Sequence, residues 1–376
     1  MRYEIKKLLF RKEIWIVFGL SIIALIILNL REPWASIATI KSAHQKTAEY
    51  YNLSLDESEK KIAEQLEKTY SETDINILTQ MQISAKNYRL QEDNMKNLIA
   101  DMYHKINHVS TDFERRDLEH AIRQYNRKIN YRLCDSKQLH IAFLWLNDFE
   151  WFNYLFLLIL CTLLASLFAV ESESGMYQLL FISEKGKKQL FQNKIIGGIF
   201  CSACFSLCYT LLTFVILWIR FGLSFQLLSA PIQCAEYYKN CPFSMSIIGF
   251  MLLTAVMRTL IGALLTAITA LVSCCFNKTA VIFGITVSIS GIFILISGAA
   301  NLFMKKLGLF CLPVLGNYLR EYETVNVCGY PVEQFGLAIA CSCMIILVLL
   351  SLAYTLYTLP VKPKREKVKR CLDSMD

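Results

Sequence analysis

Val170 to Lys194 reads VESESGMYQLLFISEKGKKQLFQNK and lies between two apolar runs, about Trp151 to Val170 and about Ile195 to Ile219. Each run approaches the roughly 20 residues a helix needs to cross the hydrocarbon of a bilayer. The stretch between them changes character three times. Glu171 and Glu173 end the first run, Gly175 permits a sharp change of direction, and Met176, Leu179, Leu180 and Ile182 supply the apolar side of a short helix suited to the headgroup region. Ser183-Glu184-Lys185-Gly186 then reads as a turn, after which Lys187, Lys188 and Lys194 are placed to meet phosphate. On spacing alone this is a solvated loop with an amphipathic helix, joining two membrane spans.

Working outward, the rest of the chain agrees with a polytopic membrane protein. Of its 376 residues 55% are hydrophobic and only 19% charged, with a mean hydropathy of +0.38, too apolar for one soluble core. A first span is expected from Ile14 to Leu30, preceded by Arg2, Lys6, Lys7, Arg11 and Lys12 and uncleaved, since no small-x-small site follows it. The third span is followed by a fourth from Ser244 to Phe276, which is long enough to require tilting or a break near Met257-Arg258. A fifth runs from about Thr279 to Ala300 and a sixth from about Phe335 to Leu359. The expected fold is therefore all-α, with six spans and both termini on one side.

Residues 31–150 are polar throughout and form the expected insertion between the first and second spans. Met95, Leu98, Ile99, Met102 and Ile106, then Leu118, Ile122, Tyr125, Ile129 and Leu133, recur at helical spacing. The intervening Asn107 to Asp112 reads as a turn with an N-cap. The spacing predicts an antiparallel helical hairpin, preceded by a helix over about Asp56 to Tyr70. The division is thus 1–30, cytosolic N-terminus and first span; 31–150, outer helical domain; 151–359, a five-span membrane domain with the connecting segment 171–194; and 360–376, a basic tail.

Lysine and arginine near spans favour the cytoplasm, whereas long domains cross regardless of charge. The five N-terminal bases, Lys185, Lys187, Lys188, Lys194, Lys278 and the bases of the tail KPKREKVKR fall on one side. The other side's short loops hold only Arg220, Lys239, Lys305, Lys306 and Arg320. Both termini and the 171–194 segment are expected in the cytosol, and residues 31–150 outside. Anionic lipid accounts for the formal charge of +8, and no nucleic-acid module is visible.

The order acid-x-acid-x-Gly, Leu-Leu, Ser, Gly-Lys-Lys and a closing lysine resembles the segment after the second span in the type-two ABC export permeases of bacteria. By that likeness Glu171, Glu173 and Gly175 correspond to the acid-acid-glycine element, and Leu179 and Leu180 to the leucine pair. Ser183 then corresponds to the hydroxyl, Lys187 to the usual arginine and Lys194 to the lysine that opens the third span. Tyr322 to Val332, YETVNVCGYPV, is similar to a hairpin-like segment before the last span of Firmicute members. Met176 and Glu184-Lys185 depart from the family pattern. The resemblance covers nearly the whole chain apart from 31–150. It implies a multi-pass plasma-membrane subunit of an exporter, in which 171–194, with Gly186 and Lys188, forms a coupling helix docking on a cytosolic ATP-binding subunit. It also implies a second permease copy or a paralogue, because six spans make half a pore. No P-loop is present, since Phe181 stands where the first glycine before Gly186-Lys187 should be. ATP and Mg belong to the partner, and no cofactor or enzyme active site is expected in this chain.

The remaining candidates are few. Arg258 is the basic residue well inside an expected span, and it either lines a path for cargo, snorkels outward, or caps a helix break. Cys234 and Cys241 share one outer loop and are the candidate disulfide, with free thiols the alternative. Cys201, Cys204 and Cys208 share a helical face without any His or acid, which reads as packing. His104 and His108 have helical metal-pair spacing but no further ligand between them, which reads as a solvated face, so no metal site is expected. The alternative function is a sensor or immunity component that binds an extracellular peptide through 31–150.

Overall fold

The computed structural model describes residues 53–126, 150–173, 184–221, 228–235, 238–298, 316–320 and 322–358, with Gly19, Ile23 and Tyr50. In chain order these form α1 (Leu55–Lys68), α2 (Glu72–Ile106), α3 (Asp112–Tyr125), α4 (Glu150–Glu173), α5 (Glu184–Phe221), a 3-10 turn (Ile232–Cys234) and α6 (Ile247–Cys275). There follow α7 (Thr279–Gly298), the single-turn α8 (Gly316–Leu319), β1 (Thr324–Val327), β2 (Tyr330–Glu333) and α9 (Gln334–Thr358). The protein is mostly helical, with three helices among the described residues apolar enough to span a membrane, and the antiparallel hairpin β1–β2 falls within Tyr322 to Val332 and the residue after it. Cys328 and Gly329 form its two-residue turn with φ of 53° and 86°, the left-handed pair that matches the twist of the flanking strands. The expected first span, apart from Gly19 and Ile23, lies outside the described residues, as does the basic tail.

Among the described residues three helical stretches are long and apolar enough to cross a membrane: Lys188–Val215 in α5, Ile247–Cys275 in α6, and Gln334–Thr358 in α9. Shorter apolar stretches, Tyr154–Ala169 and Thr279–Ile292, lie in α4 and α7. The five helices alternate in direction. Late residues of α4, α6 and α9 meet early residues of α5 at one end, where Phe168, Ala270 and Ala353 pack with Phe191 and Ile195. The helix α6 is unbroken through Met257 and Arg258, which removes the break expected as one answer to its length.

Small side chains let α5 and α6 pack backbone to backbone. A Cβ placed on Gly198 of α5 would stand 2.6 Å from Cγ2 of Thr266, and one on Gly262 of α6 would stand 2.7 Å from Cβ of Ser202. Gly198 and Ser202 on one helix thus face Gly262 and Thr266 on the other, each pair four residues apart. This is the small-xxx-small arrangement used where lipid offers no hydrophobic drive for helix association. Buried hydroxyls on the same helices bond back to their own carbonyls, as Thr266 does to Gly262 and Thr210 to Ser206, both at 2.8 Å. No polar group there is left facing hydrocarbon on their account.

At the opposite end, the loop between α5 and α6 is a packed plug. Ile232, Ala235, Tyr238 and Cys241 are fully buried. The Gln233 side chain donates to the Cys241 and Phe243 carbonyls at 3.2 and 2.6 Å, and the Ile232 and Ile247 amides close the loop on Met245 and Ala230.

Of the helices α1 to α3, α2 rests on that plug through Tyr88, and α1 and α3 pack along α2. Ser54 caps α1 in a capping box with Glu57, and Thr111 caps α3 through the Glu114 amide. The 35 residues of α2 make a rod of roughly 50 Å. Its first half packs Leu78, Met81 and Ala85 against Ile62 of α1, and its second half runs antiparallel to α3. Arg89 clamps Glu59 with both carboxylate oxygens and reaches Asp56 at 2.6 Å, and these carboxylates, Glu59 first, hold its guanidinium above the usual arginine range. The predicted continuation of α3 to Leu133 falls past its end at Tyr125, and residues 127–149 lie outside the described ones.

Candidate functional site

The connecting segment is framed on both sides. The helix α4 carries Glu171 and Glu173 in its last turn, and α5 begins at Glu184. The expected turn over Ser183 to Gly186 is corrected at that point: Glu184 to Lys188 are already the first turns of α5, because nothing but Gly186 interrupts the run of helix formers. Gly175, Leu179, Leu180 and Ser183, with the amphipathic helix expected there, lie outside the described residues.

Lys194 differs most from its expected role. Lys188 is exposed, but Lys194 is only 4% exposed, and its Nζ donates to the Phe168 carbonyl of α4 at 3.2 Å. It does not reach for phosphate. It lies instead beside Phe168, Phe191 and Ile195, about a turn and a half before the end of α4 and nearly three turns into α5, and fastens the two helices together. Nearby, the Cys274 thiol of α6 lies 3.3 Å from the Ala270 carbonyl of its own helix and 3.6 Å from the Ala353 carbonyl of α9, so its single proton serves one or the other and α6 and α9 touch at this face.

Arg258 is fully buried, which excludes both snorkelling and a helix cap in this conformation. Its Nη1 donates to Thr210 Oγ1 at 2.9 Å, and its guanidinium carbon stands 5.2 Å from the Tyr209 ring centre and 5.8 Å from that of Phe156. Through these contacts it joins the first half of α4, the second half of α5 and the first half of α6. Cation–π contact and a charge-assisted hydrogen bond offset part of the cost of burying the charge.

Cys234 and Cys241 are separate buried thiols, so the candidate disulfide is corrected to its alternative. The Cys241 thiol points at the Phe243 carbonyl at 3.7 Å, and burial pushes its pKa up to about 12. The Cys234 backbone carbonyl instead accepts the hydroxyl of Tyr88, which docks α2 on the plug at 3.1 Å. His104 and His108 are exposed, with ring centres 5.0 Å apart, and no group of three ligand residues stands together among the described residues.

Sequence reasoning missed a cleft of about 740 Å³ between α2, the plug and the start of the hairpin. Asn87, Gln91, Asn94 and Leu98 line it from one face of α2, and Lys239, Asn240 and Tyr322 close it from the other side. The only signal in the sequence was the polar interruption of an otherwise apolar helical period between Tyr88 and Met102.

Beside the cleft, α3 grips the hairpin that leads into α9. Asp117 accepts the Thr324 hydroxyl at 2.6 Å and the Tyr322 hydroxyl at 3.3 Å, while His120 Nδ1 shares a 2.8 Å hydrogen bond with Tyr322. Gln124 donates to Glu333 at 2.7 Å. Burial first, and then the neighbouring Asp117 carboxylate, raise the Tyr322 phenol above its usual range. Comparison with family models, curated proteins and solved structures returned no match.

Proposed function

We propose that the chain is the permease subunit of an ATP-driven exporter, with six spans, both termini in the cytosol of a bacterial plasma membrane, and residues 31–150 inserted outside between the first two spans. A separate cytosolic subunit binds ATP and Mg, and a second permease copy or a paralogue completes the pore. The observation that carries the reading is the Lys194–Phe168 bond, which joins α4 and α5 on either side of the connecting segment. A push delivered to residues 174–183 then moves both helices as one body, as coupling of nucleotide closure to the spans requires. The backbone contact between α5 and α6, and the thiol contact from α6 to α9, carry that movement across the bundle. Arg258 lines a cargo path only where α5 and α6 part; in this structure it ties α4, α5 and α6 together.

The cleft favours a second reading, in which the outer domain is the receptor of a sensor or immunity component and its message leaves through the hairpin and α9. Co-purification of the full-length protein from its native membrane, with deletion of Gly186 to Lys188 as control, separates the two. An ATP-binding subunit that the deletion loses supports the exporter. A well-behaved preparation without any ATPase refutes it in favour of the sensor.

A further inference from the structure

The geometry points to the cleft between α2 and the plug as a binding site for an extended peptide segment, neutral or acidic, with apolar side chains. The inference deepens the peptide reading of the outer domain and does not depend on an ATPase. Asn87, Gln91 and Asn94 stand at i, i+4 and i+7 on α2, so their carboxamides form one stripe along the cleft wall. A carboxamide both donates and accepts, as a peptide group does. The rise from Asn87 to Gln91 is roughly 6 Å, close to the roughly 6.7 Å between peptide groups on one side of an extended chain. The Gln91 side-chain oxygen is buried and accepts no hydrogen bond, which leaves an acceptor that a ligand N–H would satisfy after a small rotation of the amide.

The apolar part of the wall is Leu90, Met95, Leu98 and Met102, and the two unbranched methionines suit it to repacking around different guests. The tyrosines at the cleft are already engaged: Tyr88 donates to Cys234, Tyr322 bonds Asp117 and His120, and Tyr125 accepts the Tyr322 amide at 3.4 Å. A sugar, which needs free hydroxyl partners and an open aromatic face, is served less well than a peptide. Lys239 is the one charged residue on the described wall, so an acidic side chain or a terminal carboxylate is accepted and a basic segment is not.

The test uses the full-length protein in lipid nanodiscs. The probe is an acetylated octapeptide pool randomised over uncharged residues with a free carboxylate, read by affinity selection and mass spectrometry. Saturable binding is expected, weakened about tenfold in Asn87→Ala/Gln91→Ala at unchanged melting temperature. A pool methylated at alternate backbone nitrogens should not bind, and Lys239→Gln should weaken the carboxylate pool but not its amidated counterpart. Should the double variant melt early, Gln91→Met, which keeps the length of the side chain and removes both its donor and its acceptor, must show a loss of binding by itself. No saturable binding, equal binding of the methylated pool, or preference for a chitin oligosaccharide over the peptides overturns the inference. None of these outcomes bears on whether an ATPase co-purifies, so the two readings fail separately.

Discussion

Single side chains in this protein are placed by what they would cost if left unpaired. Thr210 gives Arg258 one of its partners, and a hydrogen bond to a charge in water contributes about 1.5–3 kcal/mol. Within membranes measured values average about 0.6 and reach about 1.7 kcal/mol, because the unfolded chain there also finds partners. Thr210→Val should therefore lower stability by about 1 kcal/mol and Thr210→Ser by much less, read from thermal melts in detergent. The thiols make a second prediction. The Cys241 thiol, with its pKa pushed up to about 12, carries almost no thiolate at neutral or mildly alkaline pH. A maleimide applied to the folded protein should label the exposed Cys328 and leave Cys234 and Cys241 unlabelled until denaturation. Recovery of a Cys234–Cys241 cross-linked peptide would contradict the assignment.

Elements hold together through two different chemistries, one in the bundle and one above it. In the bundle the close approach of α5 to α6 leaves no room at Gly262, so Gly262→Val should cost about 1–3 kcal/mol through overpacking. Gly284 of α7 has nothing within 4 Å, and Gly284→Ala should stabilise by up to about 1 kcal/mol through helix propensity. Opposite signs for two glycine substitutions are a demanding check on the packing. Above the bundle, the grip of α3 on the hairpin depends on pH through Tyr322. Its phenol is held neutral in the fold, so its folded pKa lies above the unfolded value of about 10. The stabilisation is whole below that unfolded value and is lost as pH rises through the folded one. Melting temperature should fall from about pH 10 upward, and fall less in Tyr322→Phe.

For the whole molecule, the two ends of the bundle have separate tasks on the proposed reading. The end holding Lys194, Phe168, Cys274 and Ala353 receives a push from the cytosol, and the opposite end holds the plug and the outer helices. Replacing both Glu171 and Glu173 by alanine should uncouple ATP hydrolysis from transport in the reconstituted complex while leaving membrane insertion intact. Lys194→Met, of similar volume, should insert equally well and show the same uncoupling, since it removes the tie without opening a cavity. Normal coupling in both variants would leave the connecting segment without its proposed role.

The sequence by itself determined the elements whose signals are local. The cap before α3, the paired helices α2 and α3 and the apolar runs could be read from spacing and composition, whereas the hairpin before the last span was legible only through the family resemblance. Such features depend on residues within a few positions of one another, which is where propensity and capping act. Tertiary structure alone decided what the polar residues inside those elements do. Lys194 reads as a headgroup lysine because the residues before it in sequence are polar, yet the carbonyl of Phe168, 26 residues earlier, accepts a hydrogen bond from its ammonium. Arg258 follows the same rule through Thr210 of α5. Its role is set by a partner on another helix, because a buried polar group must find its hydrogen bond wherever the packing brings an acceptor.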